Sequence, residues 1–110
     1  MKEKFKNIPG YDGHYKISDL GNVISLKANK KKILKQSIEI QGYYKVSLCL
    51  NGCVKNYRVH QLVAVCFLNH KPKKITSAKS LVVDHINKDK LDNRLSNLRL
   101  ISHKNNLLNR

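Results

Sequence analysis

The segment that most constrains the fold is a pair of β-prone stretches flanking the dipeptide Asn51-Gly52. Asn-Gly is the preferred two-residue turn of a β-hairpin, because both residues tolerate a positive φ. The sequence therefore predicts an antiparallel hairpin formed by residues 43–50 and 53–59. The turn fixes a register that gives one mostly apolar face, in which Leu50 lies opposite Cys53, Val46 opposite Tyr57, and Tyr44 opposite Val59.

The other face of this hairpin is polar. In the same register, Ser47 lies opposite Asn56 and Lys45 lies opposite Arg58. Since successive side chains of a strand point to opposite faces, the hairpin can pack on a core with one side. The opposite side then presents hydrogen-bond donors and positive charge.

The rest of the chain alternates short strands with two helices. Strands are predicted at residues 14–17, 23–26, 33–36, 81–83 and 98–101. The apolar segment 60–68 has helical periodicity and predicts a short buried helix. A helical turn is predicted near 94–97, and Ser102 is a suitable N-cap for a final helix at 103–109. This order predicts an α+β fold, with a β-rich N-terminal module at 1–59 and a second domain at 60–110.

Positive charge is concentrated in the middle of the chain. The 110 residues carry 22 Lys plus Arg against 7 Asp plus Glu, a formal net charge of +15. Between Asn22 and Val83, twelve basic residues accompany one acid, Glu39. Such a region is most simply explained by a polyanionic partner, although a solubilising lysine-rich surface is an alternative.

Membrane and secreted proteins are not expected from this sequence. The longest apolar run, residues 62–68, has seven residues, whereas a membrane span needs about 20. The N-terminal segment lacks the apolar stretch of a signal peptide. Cys49, Cys53 and Cys66 form no C-x-x-C pair and are interpreted as small apolar side chains in a reducing compartment. A zinc site that adds His60 or His70 is the open alternative.

The segment VDHINKDKLDNRLSNLRLISHKNN resembles the HNH nuclease motif, in particular that of phage and intron-encoded homing endonucleases. The segment IPGYDGHYKISDLGNVISL is similar to the small module that often precedes HNH domains in that group. RVHQLVAVCFL matches the helix that enters the nuclease core. The resemblance implies that residues 60–110 form a ββα-metal finger. It also implies an endonuclease that cleaves duplex DNA and leaves 5′-phosphate and 3′-hydroxyl ends.

Hydrolysis of a phosphodiester needs a base for the attacking water and a cation for the developing negative charge. A neutral histidine suits the first role and oxygen ligands of Mg²⁺ (or Mn²⁺) suit the second. By resemblance, His85 is the general base, Asp84 and Asn106 hold the metal, and Asn97 braces the loop and orients the histidine. One carboxylate and one amide predict weak metal binding without DNA. His103, three residues before Asn106, is an alternative ligand.

The basic residues of the middle segment are expected to hold the DNA backbone, namely Lys30, Lys31, Lys32, Lys45, Lys55 and Arg58. His60, at the start of the core helix, is expected either to contact phosphate or to pack in the core. The expected partner is double-stranded DNA, bound by one chain without a small-molecule cofactor. The expected setting is a phage or mobile-element protein in the cytoplasm of a bacterial host. The alternative function is a catalytically silent DNA-binding protein that keeps the HNH fold.

Overall fold

A computed structural model describes residues 2–71 and 81–102 of the chain. These residues form nine β-strands and one α-helix, which confirms the predicted α+β class. In chain order the elements are β1 (Phe5–Asn7), β2 (Tyr15–Ser18), β3 (Val23–Ser25), β4 (Lys32–Ile33), β5 (Ser37–Ile38), β6 (Tyr44–Leu50), β7 (Cys53–Arg58), α1 (Val59–Phe67), β8 (Leu81–His85) and β9 (Leu98–Ser102). Two short 3₁₀ helices, Lys27–Asn29 and Leu95–Asn97, lie between strands.

The first four strands form an antiparallel sheet in the order β1-β2-β3-β4. Ile17 of β2 lies opposite Val23 of β3, and both side chains are fully buried. The turn that joins these two strands contains Gly21, whose φ of +86° favours glycine. The predicted strands at 14–17 and 23–26 are therefore present within one or two residues of their expected ends.

The predicted hairpin forms as β6 and β7, with β5 added at its edge. Val46 lies opposite Tyr57, and Lys45 lies opposite Arg58, as the Asn51-Gly52 turn predicts. The expected pair of Tyr44 with Val59 is wrong, because Val59 begins α1 and Tyr44 lies opposite Ile38 of β5 instead. Because α1 begins at Val59, the side chain of this residue packs in the core, where it is fully buried.

Helix α1 lies at the centre of the fold and packs against strands of all three sheets. It starts and ends one residue before the predicted bounds of 60–68. The buried apolar core draws on both halves of the chain and consists of Ile8, Tyr11, Tyr15, Ile17, Val23, Val46, Leu48, Val59, Leu62, Val63 and Leu98. The division into modules at 1–59 and 60–110 remains a prediction, and the two parts share this core.

Strands β8 and β9 form a two-stranded antiparallel sheet. Asp84 lies opposite Arg99, and His85 lies opposite Leu98. These are the two strands predicted for the ββα unit, whereas the predicted helix at 103–109 lies outside the described residues. Within the described ranges, no helix has the length and apolar character needed to cross a membrane.

Candidate active site

Asp84 and His85 are the last two residues of β8, and both border the same cleft. The cleft has a volume of about 580 Å³ and is lined by Gln41, Tyr43, Val83, Asp84, His85, Lys88 and Lys90. Both side chains are largely buried, with exposed fractions of 6% for Asp84 and 7% for His85. Consecutive residues within a strand point to opposite faces. Because the strand ends at His85, the two side chains can nevertheless reach one cleft.

The carboxylate of Asp84 is paired with basic side chains on both oxygens. The Nε of Arg99 lies 2.8 Å from Oδ2, and the Nζ of Lys88 lies 3.9 Å from Oδ1. Arg99 is the residue opposite Asp84 in the β8–β9 pair, so the register itself brings their side chains together. A buried carboxylate is costly unless it is paired, and these two cations supply that compensation.

Among the described residues, the imidazole of His85 has one side-chain hydrogen bond and two ring contacts. Its Nε2 lies 2.9 Å from the Oδ1 of Asn93, which is itself buried. The ring centroids of His60 and Tyr43 lie 5.0 and 6.0 Å from that of His85. These neighbours restrict the ring to a defined position at the side of the cleft.

Asn97 is buried beneath the loop that joins β8 to β9, and its side chain makes three hydrogen bonds. Its Oδ1 accepts from the backbone N–H of Asn87 at 3.0 Å. Its Nδ2 donates to the Oδ1 of Asn87 at 3.0 Å and to the backbone oxygen of Asp92 at 2.9 Å. Asn97 thus joins two separated points of the loop, while the side chain hydrogen-bonded to the histidine ring is Asn93.

His60 is buried and 4% exposed, between the rings of Tyr43 and His85. Burial lowers its pKa to about 3, and the nearby His85, Arg58 and His70 contribute in the same direction. Within the described ranges, its Nδ1 is buried without a hydrogen-bond partner. This position favours the packing role that the sequence left open over direct contact with DNA.

The basic residues predicted to contact DNA fall into separate groups. Lys45 and Arg58 lie opposite each other on one face of the hairpin, whereas Lys55, three residues before Arg58, lies on the other face. Arg58 donates to the Oε1 of Gln41 at 2.6 Å, and its guanidinium carbon lies 4.6 Å from the ring centroid of Tyr43. Because Gln41 and Tyr43 line the cleft, the Lys45 and Arg58 face lies on the cleft side.

The three consecutive lysines predicted to contact DNA lie elsewhere, around the start of β4. Lys30, Lys31 and Lys32 are all exposed. The Nζ of Lys31 lies 5.6 Å from the ring centroid of Phe5 in β1. The three lysines extend the positive charge of the protein surface along the first sheet. Asn106 and His103, the two proposed or alternative metal ligands in the final helix, lie outside the described residues.

Sequence reasoning missed several residues of this site, among them Tyr43, Asn93 and Arg99. The sequence could have indicated Arg99. Pairing the strand that contains Asp84 with the strand that follows Asn97 places Arg99 beside the carboxylate. Asn93 had no distinguishing signal, since its loop contains several asparagines and aspartates of similar chemistry. Tyr43 was treated only as the beginning of the hairpin.

Two regions of the chain match the models of known protein families. Residues 57–108 match the family model of the HNH endonucleases, and residues 3–49 match the NUMOD4 motif. Residues 57–108 therefore form an HNH endonuclease region, and a NUMOD4 motif precedes it in the chain. It is 38% identical over 106 residues to DNA endonuclease I-HmuI of Bacillus phage SP01, an alignment that covers 96% of this chain and 56% of I-HmuI.

Two further comparisons agree with this assignment. An uncharacterised HNH endonuclease of Acanthamoeba polyphaga mimivirus is 39% identical over 106 residues, covering 96% of this chain and 29% of that protein. A solved structure titled "DNA binding and cleavage by the HNH homing endonuclease I-HmuI" matches with a TM-score of 0.78 at 38% identity, covering 96% of this chain and 56% of that one. The chain therefore spans about half of I-HmuI and less of the mimivirus protein.

Proposed function

We propose that the chain is a divalent-metal-dependent endonuclease that hydrolyses phosphodiester bonds in duplex DNA. The observation that carries this proposal is the convergence of Asp84 and His85 on one cleft with basic residues at its edge. A carboxylate and an imidazole in that arrangement are what hydrolysis of a phosphodiester requires. The similarity to I-HmuI, whose solved structure is titled for DNA binding and cleavage, supports the same function.

His85 is the proposed general base. An imidazole is the side chain whose ordinary pKa best suits proton transfer near neutral pH. Its position beside the cleft allows a water molecule there to lie within hydrogen-bond reach of the ring. In the proposed reaction His85 takes the proton from that water as the oxygen attacks phosphorus, and the leaving 3′-oxygen departs on the opposite side.

Asp84 is the proposed metal ligand, and the donor chemistry of the described residues fits that role. Its carboxylate supplies hard oxygen atoms at the edge of the cleft, which is the donor type that Mg²⁺ and Mn²⁺ prefer. Asn106, in the part of the chain beyond the described residues, would supply a second oxygen. When bound, the cation stabilises the negative charge that develops on the phosphoryl and leaving oxygens. Arg99 and Lys88 add positive charge next to the same carboxylate.

Basic residues around the cleft are proposed to hold the DNA backbone. Lys90 donates from Nζ to the backbone oxygen of Gln41 at 3.1 Å, so a lysine is positioned at the cleft edge. Lys45 and Arg58 continue the positive charge along the hairpin face on this side. A phosphate chain that follows this surface would place one phosphodiester next to Asp84 and His85. We assign one chain per DNA site and a phage or mobile-element setting in the cytoplasm of a bacterial host.

A plasmid-nicking assay tests the proposal directly. The full chain with supercoiled plasmid and Mg²⁺ or Mn²⁺ should produce open-circular or linear DNA, and chelation should stop the reaction. His85→Ala should lower the cleavage rate by about 100-fold or more, because the base is removed, while equilibrium binding of a duplex is retained. His14→Ala removes a histidine from outside the cleft and should leave the rate unchanged.

Each other result counts against a specific part of the proposal. If the unmodified chain binds duplex DNA but does not cleave it with either Mg²⁺ or Mn²⁺, the result would indicate the catalytically silent DNA-binding protein. Cleavage that persists unchanged in His85→Ala would remove His85 as the base and point to a contaminating nuclease. Products with 3′-phosphate ends would contradict the proposed attack geometry.

A further inference from the structure

We propose that Asn93 is the positioning residue for His85, fixing which ring nitrogen carries the proton, and that the Gly21 turn of the first sheet holds Asn93 in place. The catalytic consequence of this inference rests on the proposed function, in which His85 is the general base. The tautomer of the His85 ring can be measured without any reaction. It links the NUMOD4 region, which contains Gly21, with the HNH region, which contains Asn93 and His85.

The first step is the chemistry of the hydrogen bond on the ring. The Oδ1 of Asn93 lies 2.9 Å from the Nε2 of His85, and both side chains are buried. An amide oxygen only accepts hydrogen bonds, so Nε2 must be the donor. In the neutral ring, the proton is then on Nε2 and the lone pair is on Nδ1.

The second step is what remains for the other ring nitrogen. Across residues 2–71 and 81–102, no side chain or backbone group forms a hydrogen bond with Nδ1 of His85, although its side chain lines the cleft. Among the described residues, Nδ1 is therefore the ring nitrogen whose lone pair faces no protein donor, and it is the atom that can accept a proton from a water molecule. With the amide oxygen of Asn93 facing the ring, the reverse tautomer would leave two acceptors facing each other at 2.9 Å, so this contact selects the Nε2–H form.

The third step separates Asn93 from Asn97. The three side-chain hydrogen bonds of Asn97 go to Asn87 and to the backbone of Asp92, and none goes to the imidazole. Asn97 determines the shape of the loop, and Asn93 determines the state of the ring. The two asparagines therefore have different effects when they are replaced.

The fourth step is the support of Asn93 by the turn between β2 and β3. A Cβ built on Gly21 would lie 3.0 Å from the Cβ of Asn93 and 3.2 Å from its backbone oxygen, closer than the usual carbon contact of about 3.5 Å or more. The backbone N–H of Leu95 donates to the backbone oxygen of Asp19 at 2.7 Å, which ties the same turn to the same loop. The turn packs closely against the buried Asn93, so enlarging Gly21 should displace the amide from the ring.

The experiment reads the tautomer of His85 by nitrogen NMR of the full, metal-free chain labelled at histidine, at a pH where the ring is neutral. The unmodified protein should show the Nε2–H form. Asn93→Ala should give a mixture of tautomers, because the acceptor is gone. Asn93→Asp keeps an oxygen acceptor at the same position and should keep the Nε2–H form. Backbone amide spectra of each variant establish that it is folded.

The support by the turn has its own matched pair of variants. Gly21 and Gly10 have nearly the same φ, +86° and +85°, but a Cβ at Gly10 would meet nothing within 4 Å. Alanine at either position introduces the same backbone strain. Only Gly21→Ala should shift the tautomer towards a mixture, and Gly10→Ala should retain the Nε2–H form.

Kinetics provides a second readout. Asn93→Ala should slow single-turnover cleavage of plasmid DNA by about 10- to 100-fold, as expected when a reacting group is misplaced, without weakening duplex binding.

A wild-type ring in the Nδ1–H form, or an unchanged tautomer in Asn93→Ala, would overturn the role of Asn93. Equal behaviour of Gly21→Ala and Gly10→Ala would overturn the role of the turn. If the tautomer follows these expectations and His85→Ala still cleaves DNA, the proposed base is wrong and the positioning of the ring stands.

Discussion

The β6–β7 hairpin and the loop between β8 and β9 are held in place by different physical interactions. The hairpin buries Val46 and Leu48 against the core, and apolar burial has no preferred direction. The loop has few buried apolar side chains and is held by directional hydrogen bonds from Asn97 and its neighbours. A change in the hairpin should therefore alter the stability of the whole fold, whereas a change in the loop should alter the geometry of the site.

The largest expected effects come from one substitution in each region. Leu48→Ala removes a fully buried side chain and should lower the free energy of unfolding by about 2–5 kcal/mol. Asn97→Ala removes three hydrogen bonds, each with a net value of about 1 kcal/mol, and should cost about 2–3 kcal/mol. Urea unfolding measures both. Only Asn97→Ala should reduce cleavage per folded molecule, by about tenfold or more.

Ser96→Ala is the control within the loop, because Ser96 is exposed and adjacent to Asn97. Its unfolding free energy should stay within about 0.5 kcal/mol of the unmodified chain, and its cleavage should not change. If Leu48→Ala lost cleavage per folded molecule as strongly as Asn97→Ala, the distinction between the two regions would fail.

The same difference explains how much the sequence could predict. Period-2 alternation and the Asn51-Gly52 turn were enough to place Val46 opposite Tyr57 and Lys45 opposite Arg58. A turn type restricts the register to one choice, so local sequence information is sufficient there.

The loop is a different case, because tertiary folding, not local sequence, determines which of its residues form hydrogen bonds with one another. Asn87, Asp92, Asn93 and Asn97 have similar hydrogen-bonding groups, and their spacing does not say which of them contacts the histidine ring. Asn97 was singled out by family resemblance, and Asn93 was not. The contact of Gly21 with Asn93 joins residues 72 positions apart and depends on tertiary packing, which no local pattern encodes.

An effect of intermediate size is expected at His60, which lies where the two regions meet. Its ring contacts those of Tyr43, before the hairpin, and His85, at the end of β8. Burial is the main reason that its pKa is lowered to about 3, with His85, Arg58 and His70 as the charged or titratable neighbours. In the unfolded chain a histidine titrates near its ordinary value of about 6.5.

Below about pH 6.5 the unfolded chain binds a proton that the folded chain excludes, so stability should fall as the pH is lowered towards 3. From pH 7 to pH 5 the contribution of His60 to this loss should be about 2 kcal/mol. In His60→Gln the difference in unfolding free energy between these two pH values should be smaller by that amount. His70, whose pKa burial also lowers, is present in both proteins. An unchanged difference in His60→Gln would contradict the assignment.

The smallest expected effect tests the two faces of the hairpin against each other. Lys45 shares the cleft-side face with Arg58, whereas Lys55 lies on the opposite face. If DNA follows the cleft side, Lys45→Gln should reduce the slope of log binding constant against log salt concentration by about 0.9, the value for one phosphate contact on duplex DNA. Lys55→Gln removes the same charge and should leave the slope unchanged. A matching reduction in Lys55→Gln would show that DNA also contacts Lys55, which the sequence predicts as a backbone contact. The hairpin would then bind DNA with the face that the present geometry assigns to packing against the core.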